Sequence, residues 1–596
     1  MIHATLHRIV AVAFLAAGFC PPALAQQRSE PLEERGNPIA FVNVNLVAMD
    51  LDRVETTRTV LVSGDRIVRV GAASEVVLPE GTRVIDGEGR YLAPGLIDAH
   101  VHLEGDGTGA RGSRENFGDG PLYLAHGVTT VFNLRGLPVH LDWKRKIENG
   151  ELLGPTIYTS GEFVNEPRVV TPKDVRREVE AQAGDGYDLI KFHEIWTPGE
   201  GWTTTTGLSR QAYVELNEAA RSVGLPLIGH APVNLGVDAM LEMRQSLAHV
   251  GTLSNIYFLP LATSRGWLLV TGAALAALSL SLAVRGAIAL IRRMSARKFA
   301  HPALPRTRVD ALAGLVLLAG GLALACAAFF LPGGPMFASV TLRIVFTSLV
   351  LIAAAGAVAL SLATVGLWRR SDQSTATRLH AGILLIASIA FVFAGLAFWV
   401  PLAWRSTDGA IERLARRLHD ADILVQTTLV NYEVMGPGRA DIVQDPAVHY
   451  LSPDVQARWR RGTQAMGAGN HYAEFMKKVT GALHRAGVPL MAGTDAMGVP
   501  LMVPGASLHH ELRLLVESGL TPYEALRAAT ATPARFLGRQ DEFGTIAVGQ
   551  RADLLLVSGN PLEDLAHLRA PLGVMVRGKW LTRDELQHML AALRSD

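Results

Sequence analysis

Three rhythms of apolar and polar residues succeed one another along the chain. Short β-like runs come first: Phe41-Val42-Asn43-Val44, Thr59-Val60-Leu61-Val62 and Arg66-Ile67-Val68-Arg69-Val70, with Ser63-Gly64-Asp65 as a turn. From Gly95 short apolar strands alternate with helical segments. Strands are expected at 96–103, 129–134, 156–160, 189–193, 226–230 and 246–250, and, after a long interruption, at 423–429 and 489–494. Strands alternating with helices build parallel βαβ units, and eight of them predict an α/β fold, a (β/α)8 TIM barrel. β-like runs return at 552–557 and 573–576. They predict a small β-sandwich made from both ends of the chain, since a few strands alone make a weak core.

The interruption is the third rhythm. Four long apolar runs cover about 267–291, 311–331, 344–368 and 381–404. Each is long enough to cross a bilayer. Buried core helices are the alternative, but four such runs in succession call for a lipid-like solvent. Arg285 lies near one end of the first run, where its head can reach the headgroups. The loop after the first run carries Arg292, Arg293, Arg297, Lys298, Arg306 and Arg308; the loop after the third carries Arg369, Arg370 and Arg378; the loop after the second has only Arg343. Positive loops stay in the cytoplasm, so the flanking segments are expected on the periplasmic, extracytoplasmic side of a multi-pass inner-membrane protein. The N-terminus agrees. Arg8, an apolar stretch over 9–19 and Ala23-Leu24-Ala25 before Gln26 read as a signal peptide over 1–25, with an uncleaved anchor as the alternative. The resulting map is a β-sandwich part at 38–93, barrel strands one to six at 94–258, a transmembrane insert at 259–405, barrel strands seven and eight at 406–540, and the second β-sandwich part at 541–584.

Composition narrows the function classes. The 596 residues carry 56 Lys+Arg against 55 Asp+Glu, a formal charge of +1, which gives no reason to expect nucleic acid as partner. The two cysteines, Cys20 and Cys326, predict neither a disulfide framework nor a cysteine-ligated metal.

Candidate chemistry gathers at strand ends. His100 and His102 stand two apart on the first barrel strand, so both side chains share a face. Alone, such a pair is also explained by hydrogen-bonded strand-end histidines. The fifth strand ends at His230, the sixth offers His249, the eighth ends at Asp495, and the fourth carries Lys191 with His193 on the same face. Side chains at the C-terminal ends of barrel strands converge on one pocket. Imidazole and carboxylate ligands suit zinc and similar divalent ions.

The run Asp86-Gly87-Glu88-Gly89-Arg90-Tyr91-Leu92-Ala93-Pro94-Gly95-Leu96-Ile97-Asp98-Ala99-His100-Val101-His102 resembles the entry motif of the amidohydrolase superfamily. Gly127-Val128-Thr129-Thr130-Val131, Thr521-Pro522-Tyr523-Glu524-Ala525-Leu526 with Ala529-Thr530, and Gly549-Gln550-Arg551-Ala552-Asp553-Leu554 extend it. The set is similar to the imidazolonepropionase-like and metallo-dipeptidase branch of these metal-dependent hydrolases. The resemblance covers about 38–258 and 406–584. It implies two divalent ions, Zn2+ or alternatively Mn2+, Co2+ or Fe2+. His100 and His102 would bind the more buried ion and His230 and His249 the second. Asp495 would bind the first ion and move protons as the catalytic residue. Lys191 matches the position of a carboxylated, bridging lysine; a structural lysine beside one ion is the alternative. Ala248 departs from the family, where an acidic residue often precedes the sixth-strand histidine.

The implied function is hydrolysis of a C–N bond in a small-molecule amide, peptide or cyclic amide substrate. A catalytically silent, membrane-bound ligand sensor is the competing class. The four runs leave from the catalytic face through short tethers, 251–266 and 405–409. Simple anchoring in the lipid bilayer and delivery of an amphiphilic or lipid-linked amide both remain open. The sequence leaves the oligomeric state unassigned.

Overall fold

The computed structural model describes residues 37–103, 117–194, 207–299, 308–327, 339–434, 445–462, 471–498 and 501–595. The expected signal peptide lies outside them. Five strands come first: β1 (Ile39–Leu46), β2 (Glu55–Ser63), β3 (Arg66–Ala72), β4 (Arg83–Asp86) and β5 (Tyr91–Pro94). Eight follow: β6 (Leu96–Val101), β7 (Val128–Asn133), β8 (Thr156–Thr159), β9 (Ile190–Phe192), β10 (Leu227–Gly229), β11 (Ser246–Leu247), β12 (Val425–Gln426) and β13 (Leu490–Met491). β14 (Leu554–Val557), β15 (Gly573–Val576) and β16 (Lys579–Thr582) end the series, before a helix over Arg583–Ser595.

The two ends of the chain meet as expected, in one hydrogen-bonded sheet that curls over so that Phe41 and Trp580, on strands far apart in its order, stand with ring centres 5.0 Å apart. The eight strands run in the order β16-β15-β14-β5-β1-β2-β3, with β4 also on β1. The join is the antiparallel pairing of β14 with β5, Leu555 opposite Ala93. Phe41, Val60, Leu92, Leu554, Met575 and Trp580 share its core.

The middle strands are TIM-barrel-like. β6, β7 and β8 pair in parallel, and so do β9 to β13 in order. Single parallel bridges join Ser160 to Leu189 and Val101 to Ala496. Asp495 N donates to His100 O at 2.7 Å. Buried Arg551 ties this body to the terminal sheet, donating to Thr130 Oγ1 at 2.7 Å and to Asp553 at 2.6 Å. The Gly-Gln-Arg-Ala-Asp-Leu run is therefore a structural joint.

Between β11 and β12 in chain order lie four long apolar helices: Leu261–Phe299, Arg308–Ala327, Val340–Trp368 and Thr375–Ala394, the last continuing through helical turns to Ser406. All four are long and apolar enough to span a membrane. The first begins earlier than its hydropathy predicts, directly after Pro260. The end of the second expected run, 328–331, lies outside the described residues. Small and branched residues such as Ala313, Val316, Ala353 and Leu384 pack the helices together. Leu269, Leu362 and Ile386 instead stand 75%, 73% and 70% exposed on the outside, a surface suited to hydrocarbon. Arg285 does not reach outward: it pairs with Asp310 at 3.1 Å, and Asp310 also meets His380 Nε2 at 2.9 Å. An ion pair lowers the cost of holding a guanidinium inside the bundle.

Candidate metal centre

The sequence-derived residues come together at the C-terminal ends of the barrel strands. His100 is on β6; His102 and Asp495 follow β6 and β13 by a residue or a few. One ligand atom each from His100, His102 and Asp495 lies within 4.8 Å of the others. Asp495 Oδ1 is 2.8 Å from His102 Nε2 and 3.5 Å from His100 Nε2. The second distance matches the edge of about 3.4 Å that ligand atoms define around a tetrahedral ion with bonds of about 2.1 Å. The first is a hydrogen-bond distance. Close backbone approach makes this corner possible. A Cβ on Gly493 would stand 2.5 Å from the Cβ of His100, and one on Gly498 would overlap the His102 ring and the Asp495 carboxylate.

His249 and His230 stand beside this corner, outside the tight group. The His249 ring centre is 4.3 Å from that of His100 and 5.0 Å from that of His230. His249 Nε2 is 3.8 Å from Asp495 Oδ2. His249 is not on its strand: it follows β11 with φ at 63° and opens a tight helical turn. Asp495 has φ 60° and Thr428 φ 45°. Non-glycine residues in this region cost about 1–3 kcal/mol each and concentrate where side chains must be aimed.

Three imidazoles have their Nδ1 held by oxygen. His100 Nδ1 meets Gln426 Oε1 at 2.8 Å, His249 Nδ1 meets Thr428 Oγ1 at 2.9 Å, and His230 Nδ1 meets the Glu194 carbonyl at 3.1 Å. Amide and carbonyl oxygens only accept, so Nδ1 of His100 and His230 donates and Nε2 keeps its lone pair. Burial, reinforced by Lys191 and His249, pushes the His100 imidazole well below its usual pKa. Burial likewise lowers His230, with His193 and Lys191 adding to it, and takes His249 down to about 3. Neutral imidazole is the form that binds metal.

Lys191 is fully buried, and its Nζ has no hydrogen-bond partner among the described residues. Burial lowers its pKa to about 7, against the pull of Asp495. Burial pushes the Asp495 carboxyl up, but His249, His100 and His102 outweigh this and hold it well below the usual range. His193 is stacked on Phe163 at 4.1 Å and faces His230 at 4.4 Å, a wall of the pocket.

Further residues support this corner, and apart from Asp98 they lie outside the motifs. Asp98 shares the face of His100 and accepts from Thr494 Oγ1 at 2.7 Å, from Thr494 N at 3.1 Å and from His100 N at 3.3 Å, which ties β6 to the Asp495 turn. Burial, partly offset by those bonds, raises it to about 7. Asn431 Nδ2 donates to Asp495 Oδ2 at 3.0 Å. Gln426 and Thr428 stand two apart, the spacing that also marks His100 and His102. That spacing is the only signal the sequence offered for them.

Residues 450–581 match the Amidohydrolase family. The fold agrees: a solved bottromycin amidohydrolase superposes over 94% of this chain and 92% of its own, with TM-score 0.54 and 19% identity. The matched segment belongs with the amidohydrolases, and the rest of the chain is similar to them in fold. The chain is 32% identical over 121 residues to an adenine deaminase of Staphylothermus marinus, and 37% identical over 101 residues to an ochratoxinase of Aspergillus niger. Those stretches cover 18% and 17% of this chain but only 19% and 20% of the two relatives.

The donor set fits a divalent ion. Nε2 of His100 and Nζ of Lys191 are buried without a hydrogen-bond partner among the described residues, beside an ionised carboxylate and neutral imidazoles. Such orphaned polar atoms are costly unless something binds them.

Proposed function

We propose that this protein is a metal-dependent hydrolase of C–N bonds in amides, peptides or cyclic amides. In this reading the seams at Ser160–Leu189 and Val101–Ala496 make one closed barrel, assembled from 94–258 and 406–540. The four-helix block is an insert after the sixth strand that crosses the inner membrane. It leaves the catalytic body on the periplasmic side, where the arginine-rich loops are absent. The carrying observation is the convergence of His100, His102 and Asp495 within 4.8 Å, with further imidazoles fixed around them.

His100, His102 and Asp495 would hold one divalent ion, and His230, His249 and a carboxylated Lys191 a second. An amine of pKa about 7 is about half free base at neutral pH, able to add to carbon dioxide. The N–C bond forms, a proton leaves to solvent, and the resulting carbamate is an anionic ligand. A bound ion supplies a water of lowered pKa and a polarised carbonyl. Asp495, ionised and anchored by Asn431, takes the water proton on its carboxylate and returns it to the leaving nitrogen.

The test is a panel of dipeptides, N-acyl amino acids and cyclic amides given to the purified full chain before chelation, after it and after zinc or manganese is restored. Turnover that disappears and returns is expected. Failure of every compound with metal supplied would favour the silent sensor.

A further inference from the structure

A cavity of about 430 Å³ lies among the helices that cover the barrel strands. Small-molecule sites run from ~300 to 1,000 Å³. Its walls come from His126 at the end of the Gly120–Ala125 helix, the Pro446–Tyr450 turn, His509 on the Ala506–Glu517 helix, Arg569, and the C-terminal Arg583–Ser595 helix. None of its lining residues is a candidate metal ligand. The Ala506–Glu517 helix stands between the two sites. His509 is on the cavity side. Glu511, about half a turn round, is on the barrel side, where it accepts from Thr427 Oγ1 and Val430 N.

One part of the wall is cationic. Arg569 Nη2 is 3.3 Å from Asp445 Oδ2, an oxygen that also accepts from His510 Nε2 at 3.0 Å, while Asp445 Oδ1 accepts from Ala447 N at 2.8 Å. Arg583 has no hydrogen bond or ion pair among the described residues. Two guanidinium groups therefore face one well-partnered carboxylate, and their planar forks match a further carboxylate. Another part offers acceptors. His126 Nδ1 donates to Leu122 O at 2.8 Å, and His509 Nε2 donates to His126 O at 2.9 Å. Burial keeps both imidazoles neutral, with His126 below its usual pKa and His509 down to about 3. Each keeps a lone pair on its other nitrogen. His509 Nδ1 is buried with no hydrogen-bond partner among the described residues. Leu586 and Leu590 of the C-terminal helix add an apolar wall.

We propose that this cavity binds an N-acylated apolar amino acid, free or as the C-terminal residue of a short peptide. Its carboxylate lies between Arg569 and Arg583, its amide N–H meets an imidazole lone pair, and its side chain lies along Leu586 and Leu590. A polar phosphate would satisfy the guanidinium groups and leave the apolar wall bare. A fatty acid would satisfy both of those and leave the imidazole acceptors unpaired, which a site built for an N–H donor penalises. The ligand bridges the C-terminal helix to the barrel helices, because Arg583 and Leu590 come from one and His126 and His509 from the others. Binding here needs neither metal nor turnover, so it stands apart from the hydrolase reading.

The test is calorimetry with hydrogen exchange on the full chain in detergent, with and without chelator. Probes are N-acetyl-leucine, the tripeptide Ala-Ala-Leu, the C-terminal amide of each, and inorganic phosphate. We expect at least one of the two acids to bind equally well in both conditions and to slow exchange in the Arg583–Ser595 helix; which of them binds tighter separates a free acyl amino acid from a peptide end. Replacing the acid by its amide, or making the exposed Arg583→Ala change, should each weaken binding by about 10-fold. Binding that disappears on chelation would place the ligand at the metal centre and overturn the proposal. So would amides that bind as well as acids, affinity unchanged in Arg583→Ala, phosphate alone giving the same protection, or no binding of either acid at millimolar concentration.

Discussion

The two corners of the candidate metal centre are built differently. Around Asp495 the ligand atoms of His100 and His102 are already close, at 3.5 and 2.8 Å, and β6 and β13 are locked together by Asp98 and Thr494. Around Lys191 the groups are near one another but not joined. Lys191 Nζ has no hydrogen-bond partner among the described residues, and His249 is 3.8 Å from the nearest carboxylate oxygen. The first corner is preorganised by strand geometry; on the proposed reading an ion and a carbamate would draw the second together. Preorganisation of a ligand set comes from covalent spacing plus supporting hydrogen bonds, and a corner drawn from three separate strands lacks the former.

The largest expected effect breaks the tight corner. Asp495→Asn keeps shape but removes the carboxylate that, on the proposed reading, holds an ion and moves protons. Turnover should fall by about 10³-fold with the fold retained, as measured by steady-state kinetics beside circular dichroism. Next comes the open corner. Lys191→Met should reduce metal content by about one ion per chain and turnover by about 100-fold, read by elemental analysis and kinetics. Reloading stripped wild type should then be faster with bicarbonate present. Indifference to bicarbonate would favour an unmodified lysine. A smaller effect is expected from the residues that aim the rings. Gln426→Leu should weaken metal binding at the tight corner and Thr428→Val at the open one, each by about 10- to 100-fold in chelator competition.

The smallest effect concerns the support beneath both. Glu511 is fully buried, accepting from Thr427 Oγ1 and, at 2.8 Å, from Val430 N. Burial raises its pKa to about 7 from 4.5, against the pull of those bonds. The folded protein therefore holds a proton that the unfolded chain has lost, and stability declines as pH rises from 4.5 to about 7, then levels off. Glu511→Gln should flatten that part of the stability profile in denaturant titrations across the range.

The same contrast explains what the sequence revealed. His100, His102 and Asp495 were legible because period-2 spacing and strand ends predict where side chains converge. So were the eight barrel strands, placed within a few residues, and the four apolar runs. The positive φ of His249 was not legible, because nothing in Leu247-Ala248-His249-Val250 announces a turn. Gln426 and Thr428 were missed because their role is defined across strands far apart in sequence. The strands of the terminal sheet were legible from their alternation, but alternation says nothing of which edges pair; the β14–β5 ladder decides that.

The most direct test of a metal hydrolase site in this barrel is anomalous diffraction from crystals of the full chain grown with zinc. The account predicts one peak bounded by His100, His102 and Asp495 and a second near His230, His249 and Lys191. Density at neither position in metal-saturated crystals would contradict it.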